Sequence, residues 1–239
     1  MRTASILVLV FLLAGCSATR QTPESAHERT ITITQGEGLE AFENLVPMSR
    51  DSVIALYQKY DQQTFYRQFG PDLRYLSRLI DSLNGTSPPG VRVDTLSLDH
   101  SFQNIGNAAC SGRTLYLSSS YFYLYNDRSV LKSVVMHEFG HLRYNVLPDS
   151  LKREVERIWR SLMDAALSYV FHDGEYSGNA WFGGHPEESP SELFASAFNI
   201  LHNRPDELRA RLGFVDKRHY DLVEQLREVI GMSRPVTTE

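Results

Sequence analysis

Residues 137–141 read His-Glu-Phe-Gly-His, and residues 189–198 read Ser-Pro-Ser-Glu-Leu-Phe-Ala-Ser-Ala-Phe; these two stretches decide how the chain is understood. In an α-helix, side chains four apart share a face, so His137 and His141 present two imidazoles to one point, with the Glu138 carboxylate beside them. Two imidazole nitrogens at that spacing suit a divalent metal ion, one Zn²⁺ per chain, and an adjacent acid suits proton transfer at the ion's open position.

The surrounding residues support a helix. Val130, Leu131, Val134 and Val135 form an apolar stripe at helical spacing, Asp127 or Ser129 serves as the cap, and Pro148-Asp149 stops the helix after Leu147. Both histidines therefore fall inside the helix. An ordinary amphipathic helix could also carry two packed or solvated histidines, but core packing does not call for an acid next to an i, i+4 pair.

An open metal site needs a third protein ligand. Glu192 is the leading choice, on a helix where Pro190 suits the first position and Leu193, Ala197 and Leu201 make one stripe. The residues offer an equal alternative: Ser189 and Glu192 form a capping-box pattern, in which the Glu192 carboxylate bonds back to the Ser189 backbone. Glu187 and Glu188 rank behind, in a Gly-rich loop.

The His-Glu-Phe-Gly-His helix followed by the Glu-Leu-Phe-Ala-Ser-Ala-Phe helix resembles the zincin metallopeptidases of the gluzincin type, most closely the catalytic domain of anthrax lethal factor and its relatives. The resemblance runs roughly from residue 114 to residue 230, including a long helix 149–170 and a helical tail after Pro205. It implies an α+β, zincin-like fold with a small mixed sheet, an active-site helix and a helical C-terminal part. It also implies Glu192 as the third zinc ligand, Glu138 as general base, and a peptide or protein substrate bound by strand addition, with Thr114–Ser118 as the receiving edge. Where the family has a second acid four residues after its ligand, this chain has Ser196, so the supporting role is weaker or reassigned. Where the family places an oxyanion-steadying tyrosine, this chain has His185, so that role passes to His185 or to Tyr176, with a solvent-exposed loop histidine as the competing reading of His185.

The amino terminus sets the expected location. Arg2, an apolar run from Ala4 to Leu13 and Leu13-Ala14-Gly15-Cys16 resemble a bacterial lipoprotein signal, too short for a permanent membrane helix. Residues 1–15 then form the signal peptide, Cys16 carries the lipid (palmitate among its acyl chains), and 16–30 form a polar tether to a single domain over 31–239. Ser17, rather than Asp, after the cysteine points to the outer membrane of the cell envelope, facing the periplasm or the exterior. Cys110 is then without an intramolecular disulfide partner, and reads as a small buried hydrophobe rather than a ligand covering the zinc.

A net charge of −5 over 239 residues, with no basic tract, argues against nucleic acid as a partner. An apolar content of 42% is enough for one sizeable core. Helices are expected over 49–67 and 71–84, broken at Gly70-Pro71 and stopped by Gly85, and strands over Val91–Leu98 and Thr114–Leu117. The aromatic run 121–125 is read as core or cleft lining. The functional expectation is a lipid-anchored zinc metalloendopeptidase. Its alternatives are a zinc-stabilised binding lipoprotein without catalysis and an amidase acting on cell-wall peptides.

Overall fold

The computed structural model describes residues 30–34, 62–88, 90–99, 108–123, 127–173, 175–177, 180–182 and 184–231. The expected signal peptide, Cys16, the expected tether before Thr30 and the part of the first expected helix before Gln62 lie outside the described residues. The fold is α+β, a small mixed sheet followed by helices. It divides into two compact units, one reaching to Arg78 and resuming over Arg92–Asn126, the other formed by Leu79–Val91 and the residues from Asp127 onward.

The first unit holds strand β1 (Thr30–Thr34), most of helix α1 (Gln62–Thr86), strands β2 (Thr95–Asp99), β3 (Ala108–Ser111) and β4 (Thr114–Ser118), and the single turn α2 (Ser120–Tyr123). The sheet order is β1-β2-β4-β3, with β1, β2 and β4 parallel and β3 antiparallel. Leu96 faces Leu115 and Leu98 faces Leu117 across β2 and β4, and all four are fully buried, as period-2 alternation requires. Gly112, at φ 57°, opens the two-residue turn that returns β3 into β4. Phe65, Phe69 and Phe122 close an aromatic cluster with centroids 4.9–5.8 Å apart. Tyr121 and Phe122 are therefore core residues; the side chains of 123–125 lie outside the described residues.

Several expectations are corrected. The break at Gly70-Pro71 does not occur, because α1 runs continuously through Pro71. Its buried seam of Phe65, Phe69, Leu73, Leu76, Ile80 and Leu83 keeps one helical face across the proline, and burying those six side chains outweighs a penalty of about 3 kcal/mol for an interior proline. The strand expected from Val91 begins only at Thr95, since the Asp94 and Thr95 N–H groups both converge on the Arg113 carbonyl, at 2.9 and 3.2 Å, and set the register there. β4 is not an edge: it is paired on both sides, and β1 and β3 are the outer strands among the described residues. Cys110, on β3, is half-buried rather than enclosed.

The second unit is helical: α3 (Arg128–Asn145), α4 (Asp149–Asp164), a 3₁₀ turn (Ser168–Phe171), the hairpin β5 (Glu175–Ser177) and β6 (Ala180–Phe182), then α5 (Pro190–Asn203), α6 (Pro205–Leu212) and α7 (Tyr220–Ile230). The helix expected over 149–170 ends at Asp164. Ala166 adopts a left-handed φ of 53°, and the Leu167 N–H reaches back 2.8 Å to the Leu162 carbonyl, a Schellman-type stop formed without the usual glycine. Among the described residues no helix is long and apolar enough to cross a membrane.

Candidate metal centre

Helix α3 starts where Asp127 accepts from the Ser129 N–H at 2.7 Å, so Asp127 is the cap. Its apolar stripe is buried as expected, which places His137 and Glu138 under the surface, 8% and 6% exposed. Helix α5 is enclosed over every residue from Leu193 to Leu201. The two helices cross closely at Gly140, where a Cβ would stand 2.5 Å from the Ala195 Cα; only glycine permits this approach.

That crossing brings the ligands together. His137 Nε2 lies 3.1 Å from His141 Nε2, and the Glu192 carboxylate oxygens lie 3.2 Å from each imidazole nitrogen. A tetrahedral ion with donors at about 2.0–2.1 Å spaces them roughly 3.3–3.4 Å apart, so the three groups fit a metal ion with little adjustment. Among the described residues, His137, His141 and Glu192 form the group able to hold one.

Only half of the capping-box reading of Glu192 is found. Its backbone N–H donates to Ser189 Oγ at 3.1 Å, the first half of a capping box, while its carboxylate turns to the histidines instead of to the Ser189 backbone. Glu187 points elsewhere, 3.1 Å from His172 Nε2 and 3.8 Å from His185 Nδ1, and Glu188 is exposed on the same turn. His185 is about half exposed. Tyr176 pairs with Trp181 across the β5–β6 hairpin, and its side chain lies outside the described residues.

The outer faces of the imidazoles are also occupied. His137 Nδ1 donates to Asp173 Oδ2 at 2.9 Å, and His141 Nδ1 lies 2.9 Å from Ser191 Oγ. With each Nδ1 engaged behind the ring, Nε2 is the nitrogen that each imidazole turns toward the centre, where an ion would take the place of its proton. Asp173, 1% exposed, also accepts from Asn199 Nδ2 at 2.8 Å and from the Gly184 N–H at 2.8 Å, and Asn199 Nδ2 reaches Ser133 Oγ at 2.7 Å. Arg211 gathers the Tyr169 and Val170 carbonyls at 3.2 Å and that of His172, while Arg204 takes the Asp173 carbonyl, so the loop that carries Asp173 is held inward. Asp173 is thus the acid that supports His137. Among the described residues, Ser196 Oγ is buried without a hydrogen-bond partner.

Electrostatically the centre favours a cation. Burial opposes charge on His137, yet Asp173 and Glu192 outweigh it and raise the imidazole to about 10. Burial likewise works against ionising Glu192, but hydrogen bonds from both histidines hold its carboxyl far below the usual range. Glu138 lacks such help, and burial pushes its carboxyl up, partly countered by the two histidines.

Sequence reasoning missed Asp173, Asn199 and Gly184. Asp173 and Gly184 carry no periodic or spacing signal, each being defined only by what it meets in space, whereas Asn199, seven residues after Glu192, shares its helix face. Comparisons of the chain with protein-family models, curated proteins and solved structures find no match, so the centre is understood from its own geometry.

Proposed function

We propose that the chain is a zinc-dependent metallopeptidase of zincin type, held at a bacterial envelope membrane by lipid on Cys16 and acting on peptides or proteins. The observation that carries this reading is the convergence of His137 Nε2, His141 Nε2 and the Glu192 carboxylate, with both Nδ1 atoms tied back and Glu138 buried alongside. Three protein ligands leave a position open, which distinguishes a catalytic zinc site from a structural one closed by four.

Zinc, when bound, supplies a Lewis acid and lowers the pKa of water. Glu138 takes the proton of the attacking water and passes it to the departing amine, a role consistent with its raised pKa. His185 or Tyr176 donates to the developing oxyanion. A decayed, purely binding descendant has no use for Glu138, which is not a ligand.

The test is zinc content together with cleavage of a mixed peptide library, for the parent and for Glu138→Gln. Zinc in both with hydrolysis by the parent and a loss of roughly 10²- to 10⁴-fold in the variant supports the assignment. An active Gln variant removes Glu138 as the base. Zinc in both and cleavage by neither favours the binding lipoprotein, or an amidase whose cell-wall substrate the library lacks.

A further inference from the structure

Asp173 is the point at which two separate attachments meet. One carboxylate oxygen, Oδ2, receives His137 Nδ1 and Asn199 Nδ2; the other, Oδ1, receives the backbone N–H of Gly184 at 2.8 Å. Gly184 is itself pressed against the ligand. A Cβ there would lie 2.1 Å from His137 Cε1 and 2.4 Å from Ser196 Oγ, so the bare glycine backbone forms the back wall of the imidazole.

We propose that Asp173 is a positioning residue that couples metal retention at His137 to attachment of the chain at Gly184. The inference rests on the metal-centre reading above but not on catalysis. Its physical basis is shared geometry. The ring of His137 can hold its Nε2 toward the ion only while Nδ1 is gripped by Asp173, and Asp173 is itself oriented by the Gly184 N–H and by Asn199. Fixing the ring therefore favours the attached state of Gly184, and releasing Gly184 loosens the ring. Linkage makes the two effects equal in size, within the usual coupling range of about 5- to 150-fold. His141 is held differently, by Ser191 on α5, and has no path to Gly184 of this kind.

The experiment uses the full chain, metal-stripped and zinc-saturated, and measures hydrogen exchange at the Gly184 amide beside zinc affinity by chelator competition. In the parent, zinc slows Gly184 exchange by a factor in that range. Asp173→Asn lowers zinc affinity by roughly 10- to 100-fold and abolishes the zinc-dependent part of Gly184 protection. Ser191→Ala, which loosens His141 instead, weakens zinc binding yet keeps Gly184 protected at saturation. Gly184→Ala is the second variant: with Asp173 intact, it lowers zinc affinity by displacing the imidazole. Equal Gly184 exchange with and without zinc, or parental zinc affinity in Asp173→Asn, overturns the coupling while leaving the metallopeptidase reading in place. A parent that binds no zinc overturns both.

Discussion

His137 Nδ1 and Asp173 Oδ2 stand 2.9 Å apart although 36 residues separate them in the chain, and this one contact orients the first imidazole of the candidate metal site. It turns Nε2 toward the centre, and it does so with an acid that is almost fully enclosed and satisfied by three donors.

The same contact predicts how stability depends on pH in the metal-stripped chain. Asp173 is buried, which opposes ionisation, but hydrogen bonds from His137, Asn199 and the Gly184 N–H bring its carboxyl down to about 2. Its contribution is complete above the ordinary value of 3.8 and is lost as the pH falls toward 2. His137 moves the other way, up to about 10, so its contribution is complete below 6.5 and is lost as the pH rises toward 10. Melting temperature followed across pH should therefore peak between 3.8 and 6.5 and fall on both sides. A melting temperature that climbs steadily from neutral into alkaline solution contradicts this assignment.

Glu192 and Ser189 separate the two roles met at the start of α5. Glu192→Gln keeps the backbone N–H on Ser189 Oγ and so keeps the cap, but it removes the anionic ligand. Metal content should drop sharply while helicity by circular dichroism is unchanged. Ser189→Ala should show the reverse, a loss of about 1 kcal/mol in unfolding free energy with the metal retained. Equal metal loss in both would mean that the cap, not the carboxylate, holds the site.

Gly140 is where α3 and α5 touch. A methyl group there meets the Ala195 backbone at 2.5 Å, so Gly140→Ala must push the helices apart. Overpacking of this kind costs typically 1–3 kcal/mol, and it also separates His137 and His141 on one helix from Glu192 on the other. Denaturant unfolding and zinc titration should both weaken. Weakening of the first alone would show that the ligands follow the helices without loss of geometry.

Pro71 offers a gain. In the middle of α1 it withholds an N–H from the Arg67 carbonyl, while its neighbours keep the buried seam intact. Pro71→Ala should restore that bond and raise stability by about 1–2 kcal/mol, after the greater freedom of the unfolded chain is subtracted. A lower melting temperature in the variant would indicate that a bend at the proline is needed for packing.

What the sequence by itself determined is what short-range geometry determines. The i, i+4 spacing of His137 and His141, the position of Glu138 beside them, the Asp127 and Ser189 caps and the proline opening α5 all depend on neighbours within about one helical turn, and each is found where its pattern places it. Local signals failed where burial outweighed them, as at Pro71, whose helix is carried through by six core side chains, and at Ala166, which ends a helix in a conformation usually left to glycine. Only the tertiary structure decided that the Glu192 carboxylate turns to the imidazoles rather than to its own cap, that β4 is paired on both sides rather than an edge, and that Asp173, Asn199 and the backbone of Gly184 form the support behind His137. Those relations join groups distant in sequence, and a buried hydrogen bond between such groups is set by how the helices and the 168–173 turn pack, which no local pattern encodes.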